Sequence, residues 1–238
     1  MRSESSRPFA TSSPPLGVSE QRETGSALAF RVPTSSDARE LNRILGLERL
    51  EQLDDLGAFF EGRRFWVSLD PEVELDDARR DRGLTPDYPW QKFERKPEPV
   101  ATETELRIGD ADERFGRVFA AAYGIPATFA DWLGRLAGRT GWRCLAAYDD
   151  GAPIATGALF TAGEVGWLGF GATLPSHRGR GAQSALLAAR IALGADLGLR
   201  VLVTETGVLR AGKPGPSYRN ILRASFREAY VRPNYASS

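Results

Sequence analysis

The chain has 238 residues, 42% of them hydrophobic, and its 31 basic and 31 acidic side chains give a formal net charge of zero. A neutral chain of this size holds one domain or two small ones, and we expect no strong binding to nucleic acid or to an acidic membrane. With one cysteine and one histidine, an internal disulfide and a histidine-clustered zinc site are excluded, a Ser-His-Asp triad is disfavoured, and no metal site is predicted.

The first 25 residues are rich in Ser and Pro and lack the apolar core of a signal peptide. They predict a disordered lead-in over 1–25. The sequence contains no apolar run of 18 residues, so no transmembrane helix is expected. Together with the lone cysteine, this predicts a cytoplasmic protein.

A first unit is predicted over residues 26–98, followed by a Pro/Thr-rich linker. Apolar periodicity and caps define its elements. In chain order these are a strand at 27–32, helices at 35–48 and 47–60, a strand at 63–69, a short polar helix at 74–84 and a strand at 88–96.

A second, larger unit is predicted over residues 102–238. Its helix at 181–198 carries Leu186, Ala189, Leu193 and Leu197 on one face and stops at Gly198. The elements in order are a strand at 104–110, helices at 111–124 and 126–139, a hairpin at 142–160 with an Asp-Asp-Gly turn, strands at 164–174 and 200–205 on either side of the long helix, a helix at 217–225 and a strand at 226–235.

Residues 63–97 and 199–235 share an order of strand, acidic turn, Arg-rich short helix and aromatic-basic strand. This pattern is typical of a weak internal repeat. Ordinary composition in two α/β segments accounts for it equally well.

The stretch LPSHRGRGAQSALLAAR, residues 174–190, joins a strand to the long helix. A right-handed crossover to the next strand places the helix N-terminus beside the end of the first strand, where free N–H groups attract anions. Gly179 and Gly181 permit close backbone approach, and Arg178 and Arg180 add donors. The loop therefore predicts a diphosphate site.

Two nucleotide motifs match this loop poorly. The Walker sequence G-x-x-x-x-G-K-[ST] is absent. For a dinucleotide fingerprint, Gly179, Gly181 and Ser184 supply two of three glycines, and Glu205 could imitate the ribose-binding acid. Only 33 residues follow Glu205, too few for the usual longer sheet.

The loop resembles motif A of the GNAT N-acetyltransferase superfamily, roughly R/Q-x-x-G-x-G/A. Arg178 to Gln183 match it, with Gln183 where the family has Gly or Ala. The tail resembles the family's "N…GF…R" ending through Asn220, Phe226 and Arg232, with Ser225 replacing the usual glycine. The resemblance covers about residues 102–238, and the first unit resembles a degenerate copy that lacks the loop.

This resemblance implies the fold class. We expect a layered α/β fold whose mixed, mostly antiparallel sheet has splayed central parallel strands and flanking helices. A smaller degenerate copy is expected at the N-terminus.

The resemblance also implies acetyl-CoA as co-substrate, bound where strands 164–174 and 200–205 splay apart. The pantetheine arm is expected to bond the backbone of Ala172, Thr173 and Leu174, and Asn220 to contact its thioester end. The diphosphate is expected on the backbone of the loop residues Arg178, Gly179, Arg180, Gly181, Ala182 and Gln183.

The expected activity is acetyl transfer to a primary amine of a small molecule or peptide by direct attack, with backbone N–H groups polarising the thioester. The family often has a tyrosine acid four residues before its tail glycine, and Ile221 stands there. Tyr218, one turn earlier, is therefore the candidate acid, and Glu205 the candidate base.

Several alternatives stay open. The loss of the usual tyrosine fits a non-catalytic acyl-CoA-binding protein, and the loop fits a dinucleotide-binding protein less well. The acceptor is not encoded in any short motif, although Tyr123, Trp132, Trp167 and Phe170 could line its site or simply pack. The first unit could be a lid, a homodimer surface or a relic.

Overall fold

A computed structural model describes residues 20–32, 42–70, 72–73, 81–125, 127–208 and 215–238. These residues form two compact units. The first contains the described residues up to 91 together with 207–208 and 230–238, and the second contains 92–206 and 215–229. The final strand therefore contributes to both units, whereas the sequence predicted domains at 26–98 and 102–238.

The first unit is a small sheet with one helix. Its elements are β1 (Glu20–Thr24), β2 (Ala27–Arg31), β3 (Arg43–Leu45), α1 (Leu50–Gly57) and β4 (Trp66–Ser68), with residues 84–91 of β5 (Leu84–Arg95) and the end of β11 (Arg227–Ser237). The strand order is β1-β2-β3-β4-β11-β5. Leu56, Phe60 and Val67 are among the fully buried side chains of its core.

The second unit carries the predicted phosphate loop. Its elements are β6 (Arg107–Asp110), α2 (Arg114–Tyr123), α3 (Ala127–Gly134), β7 (Trp142–Asp149), β8 (Ala152–Ala162), β9 (Val165–Thr173), α4 (Ala182–Asp196), β10 (Val201–Gly207) and α5 (Pro216–Arg223), with residues 92–95 of β5. The sheet order is β10-β9-β8-β7-β6, in which β9 and β10 are parallel and the other pairs antiparallel.

This arrangement confirms the predicted fold class, a mixed and mostly antiparallel sheet with a central parallel pair and flanking helices. The hairpin turn also forms as expected, with Asp150 at φ 46° and Gly151 at φ 78°. Two consecutive positive φ angles are typical of the type I′ turn that Asp-Gly favours.

Three segments differ from the sequence predictions. Residues 43–45 form β3 and not a helix, and 20–24 form β1 where a disordered lead-in was predicted. Leu84, the last residue of the helix predicted at 74–84, is instead the first residue of β5. Residues 1–19, 33–41 and 74–80, which carry the rest of these predictions, lie outside the described part of the chain, as does residue 126, the predicted start of the helix at 126–139.

The core-facing side of the long helix α4 partly matches the expected face, since Leu186, Ala189 and Leu193 all pack on the core. Leu186 is fully buried, but Leu197 is 42% exposed, and Arg190 is only 2% exposed. The helix packs on β8 and β9. A charged side chain therefore lies on the face that meets the sheet.

Candidate functional site

The parallel strands β9 and β10 separate partway along their length. They pair from Val165 and Val201 as far as Leu168 and Thr204, and the Thr204 hydroxyl donates to the Leu168 carbonyl over 2.7 Å. No further β9–β10 pair is formed among the described residues. The predicted splay is therefore present, and it opens toward the end of β9 that leads into the loop.

A β-bulge in β9 accompanies this separation. Ala158 of β8 lies opposite Gly169, and Thr156 opposite Ala172, so one β8 residue faces two on β9. Phe170 lies in the bulge with φ 52°, a conformation that is uncommon for an aromatic residue. A bulge leaves one residue outside the ladder and bends its strand, which accounts for the departure of β9 from β10.

The loop after β9 brings the predicted diphosphate residues to the N-terminus of α4. Gly179 and Gly181 have φ values of 82° and 78°, and Gly181 is the N-cap residue. The first intrahelical bond runs from Ala185 N–H to the Gly181 carbonyl, so the N–H groups of residues 182–184 have no partner within the helix. If Gly179 carried a Cβ methyl group, that group would have no described atom within 4 Å. The loop therefore offers donors beside open space, as a diphosphate requires.

The two loop arginines differ in their contacts. The Arg180 guanidinium binds both carboxylate oxygens of Asp149, one of them at 3.0 Å, and this contact lowers the pKa of the Asp149 carboxyl. Arg178 donates long, 3.4 Å hydrogen bonds to the carbonyls of Thr173 and Ala122. His177 lies 3.9 Å from the same Asp149 carboxylate. Arg180 is thus held by an acid, and Arg178 joins the loop to α2.

Gln183 is the loop residue that departs from the family pattern, and its side chain contacts β8 and β9. Its Nε2 donates to the Ala172 carbonyl at 2.6 Å, to the Thr156 carbonyl at 3.2 Å and to the Thr173 hydroxyl at 3.1 Å. A methyl group on Gly171 would lie 2.8 Å from its Oε1. The side chain therefore anchors α4 to β8 and β9, and only the backbone N–H of Gln183 belongs to the predicted cradle.

Six successive carbonyl groups of β9, at residues 168–173, accept hydrogen bonds from side chains. The donors in order are Thr204, Arg190, Thr156, Tyr123, Gln183 and Arg178. They come from α2, β8, α4, β10 and the loop. The segment predicted to receive pantetheine, Ala172 to Leu174, is thus fixed by its own unit, and the Leu174 N–H also donates to Ile154 at 3.0 Å.

Glu205 lies on β10 immediately after the last pair with β9, as predicted for a group at the cleft. Its carboxylate accepts a hydrogen bond from the Lys92 ammonium, and the two side chains are 10% and 14% exposed. The candidate base is therefore part of a largely buried ion pair. The sequence did not indicate Lys92 as its partner, since 113 residues separate the two.

Tyr218 and Asn220 lie on α5. The Tyr218 hydroxyl donates to Glu228, and its ring packs edge-on against Phe93 at 4.9 Å. Burial, with the Glu228 bond and charge, raises the pKa of Tyr218 to about 12. The Asn220 side-chain oxygen accepts from Arg223 at 3.2 Å. Among the described residues, no side-chain hydrogen bond joins Tyr218 or Asn220 to β9, so their roles stay predictions.

The tail departures from the family pattern have clear structural positions. Ile221, in place of the usual tyrosine, is 5% exposed in the core cluster between the sheet and the helices. Ser225, in place of the usual glycine, has φ 59°. Glycine adopts this left-handed conformation at less cost than serine.

Aromatic side chains cluster around the bulge. Phe170 contacts Trp142, Trp167 and Phe119 with ring centroids 5.4–5.7 Å apart. The Tyr123 hydroxyl donates to the Gly171 carbonyl at 3.0 Å. Trp132 is half-buried on α3. The rings around Phe170 and the Tyr123 hydroxyl therefore lie at the bulge, and a role for any of these residues in an acceptor site stays a prediction.

Sequence reasoning missed Asp149, Lys92 and Arg190. Only Arg190 left a signal, because it lies four residues after Leu186 on an otherwise apolar helix face. Within the described ranges, no helix is long and apolar enough to cross a bilayer. The same residues include no group of three or more His, Cys, Asp or Glu side chains placed to hold a metal ion.

Comparison with known proteins identifies the domain. Residues 106–211 match the Acetyltransferase (GNAT) family. No curated protein matches the chain.

Solved structures share the fold at low sequence identity. A GCN5-related N-acetyltransferase from Kribbella flavida superposes with a TM-score of 0.65 at 17% identity, covering 93% of this chain and 90% of its own. A GCN5-related N-acetyltransferase from Sphaerobacter thermophilus superposes with a TM-score of 0.63 at 17% sequence identity, covering 89% of this chain and 80% of its own. A putative acetyltransferase of the GNAT family from Novosphingobium aromaticivorans superposes with a TM-score of 0.62 at 16% sequence identity, covering 91% of this chain and 89% of its own. The region 106–211 of this chain, which contains the bulge, the loop and α4, therefore belongs to the GNAT acetyltransferase family.

Proposed function

We propose that this protein transfers an acetyl group from acetyl-CoA to a primary amine of a small molecule or peptide. One observation carries the proposal: β9 and β10 part at a bulge, and β9 leads directly into a glycine-arginine loop at the N-terminus of α4. The cleft suits a thioester, and the loop suits the diphosphate at the other end of the same molecule.

The loop residues fit the diphosphate by their chemistry. N–H groups of the first turn of α4 and the backbone from Arg178 to Gln183 would bind its oxygens. Arg180 would reinforce them when it leaves Asp149. The segment 172–174 would align the pantetheine arm, and Asn220 would contact its thioester end.

The bound thioester supplies an acyl group activated toward nucleophiles. The chain's own residues would do three things. A backbone N–H at the bulge that makes no inter-strand hydrogen bond would bind the carbonyl oxygen of the thioester. Glu205 would take a proton from the attacking amine, directly or through water. The Tyr218 hydroxyl would give a proton to the leaving sulfur. A C–N bond forms and the C–S bond breaks, so acetylated amine and CoA are the products.

A second candidate, a non-catalytic acyl-CoA-binding protein, is favoured by the tail. Ile221 is buried where the family often has its acid, and the Tyr218 hydroxyl is held by Glu228. Either protein would use the same loop. We also propose a cytoplasmic location and a homodimer, which sedimentation velocity would test.

Isothermal titration calorimetry with acetyl-CoA, CoA and NADPH tests the cofactor. We expect binding of the first two and none of NADPH. The double variant Arg178→Ala, Gly181→Asp should abolish CoA binding, because it removes a cation, adds an anion and strains a positive φ. Arg200→Ala, at a surface arginine 77% exposed, is the control. Retained affinity in the double variant would overturn the loop assignment.

Release of CoA thiol against a panel of primary amines separates the two candidate functions. Release with any amine supports acetyl transfer. Tight acetyl-CoA binding without release against aryl, alkyl and peptide amines supports the binding protein.

A further inference from the structure

Arg190 is a charged side chain in the core of the catalytic unit. It is 2% exposed. Its Nε donates to the Leu186 carbonyl at 2.9 Å, and its Nη1 donates to the carbonyls of Ala158 and Gly169 at 3.3 and 3.1 Å. Among the described residues no carboxylate pairs with it, and burial lowers its pKa to about 10. The guanidinium is therefore charged at neutral pH, and backbone carbonyl groups are its partners.

A glycine in β8 leaves room for this guanidinium. A methyl group on Gly157 would lie 2.7 Å from Cζ and 2.8 Å from Nε of Arg190. Gly157 is the β8 residue that faces the two bulge residues, Phe170 and Gly171. The charge therefore lies beside the bulge, on the side of β9 that faces β8.

The bond to Gly169 fixes the direction of the next N–H. The Gly169 carbonyl and the Phe170 N–H belong to one peptide group, and no described peptide bond is cis. In a trans peptide the two groups point in opposite directions. Because the carbonyl points toward Arg190 and β8, the Phe170 N–H points toward the side where β10 has left β9. Hydrogen bonding to a cation also polarises the peptide and strengthens its N–H as a donor.

We propose that Arg190 is a positioning residue for acetyl transfer, which holds the bulge so that the polarised Phe170 N–H binds the thioester carbonyl. This inference rests on the proposed function. It also explains why an arginine occupies an apolar helix face beside a glycine.

The test compares two ligands that differ only at the carbonyl. Acetyl-CoA and its thioether analogue S-ethyl-CoA have the same loop and arm contacts, so the ratio of their dissociation constants isolates the carbonyl. We expect the wild-type protein to prefer acetyl-CoA. Arg190→Met should bring the ratio close to one by weakening acetyl-CoA, with S-ethyl-CoA affinity within about twofold of wild type, and should lower kcat about tenfold or more. Arg200→Met, the surface control, should leave both unchanged.

A purely structural role predicts a different result. If Arg190 only supports the fold, both ligands weaken together and the ratio is kept, which overturns the inference. Arg190→Lys decides if the Met variant does not fold. The lysine Nζ ends one bond short of the Nη1 position that contacts both carbonyls, so the ratio should still fall.

A wild-type measurement completes the test. The infrared carbonyl band of bound carbonyl-¹³C acetyl-CoA should shift to lower frequency than in water, and no shift would also overturn the inference. If wild type binds neither CoA ligand, the proposed function fails instead.

Discussion

The Lys92 ammonium donates a hydrogen bond to the Glu205 carboxylate, and only 14% and 10% of these two side chains are exposed. The pair lies at the point where β10 leaves β9. If Glu205 is the base, Glu205→Gln should lower kcat/KM about 10²–10⁴-fold, because an amide cannot accept the amine proton. Acetyl-CoA affinity should stay within about twofold.

Steady-state kinetics and calorimetry check this expectation. Glu164→Gln is the matched control, since Glu164 pairs with Arg200 at the surface and is 66% exposed. A loss below about threefold in Glu205→Gln would assign the ion pair a structural role.

The titration of Tyr218 should depend on Glu228. Burial and the Glu228 carboxylate raise the pKa of Tyr218 to about 12, so the hydroxyl stays protonated at neutral pH. In Glu228→Gln the carboxylate contribution disappears while burial remains, and the pKa should fall partway toward 10. Absorbance at 295 nm from pH 9 to 13 measures it.

The Tyr218→Phe protein identifies which phenol titrates. Because the folded pKa is raised, the protonated form is favoured by folding, and this contribution is lost as the pH rises from about 10 to 12. An unchanged midpoint in Glu228→Gln would contradict the Tyr218–Glu228 bond.

Asp149 competes with a bound diphosphate for Arg180. Asp149→Asn removes the carboxylate that binds the Arg180 guanidinium. It also removes a negative charge beside the loop. We expect CoA affinity to rise about two- to fivefold at low ionic strength, the range of an exposed ion pair, and less at 0.5 M salt. Asp112→Asn, which removes another exposed carboxylate–arginine pair, should change nothing. Weaker binding in Asp149→Asn would mean that Asp149 positions Arg180 for the ligand.

Ser225 should be replaceable by glycine with a gain in stability. Its φ of 59° is left-handed, which costs a non-glycine residue roughly 1–2 kcal/mol, partly offset by the added entropy of an unfolded glycine. Ser225→Gly should therefore raise the free energy of unfolding by about 0.5–1 kcal/mol. Ser184→Gly, within the first turn of α4, should lower it by a similar amount. Urea unfolding of both variants checks the opposite signs.

The single thiol should be inert in the folded protein. Cys144 is buried, which raises the pKa of its thiol from 9.0 to about 12. Since the thiolate is the reactive form, the disulfide reagent DTNB should leave the native protein unmodified at pH 8 and react with one equivalent in guanidinium chloride. Fast native reaction would show that β7 opens readily.

Much of the fold could be predicted from the sequence because the signals are local. The hairpin turn at Asp150-Gly151, the α4 stop at Gly198 and the β10 strand each follow from residue type and spacing within a few positions. At residues 43–45 the local signal was misleading: capped, helically spaced residues over 35–48 predicted a helix, but pairing with β2 and β4 makes the segment β3.

The site was predictable only where a motif carries it. The loop from Arg178 to Gln183 is contiguous, so its residues could be named in advance. Lys92 meets Glu205 across 113 residues, and Asp149 meets Arg180 across 31, pairings that depend on the final packing of strands. Arg190 was overlooked since a charge on a helix is ordinarily expected at the surface.

The six side-chain bonds to β9 have a consequence for solubility. Where two strands part, their edges become templates on which a strand from another molecule could pair. Here the Leu168 carbonyl, where the gap begins, already accepts a bond from Thr204 of β10, and bonds from the same unit to residues 169–173 hold β9 in a bulged course on which a foreign strand pairs poorly. The sheet can therefore stay open between β9 and β10 without offering the parted edge as a seed for aggregation.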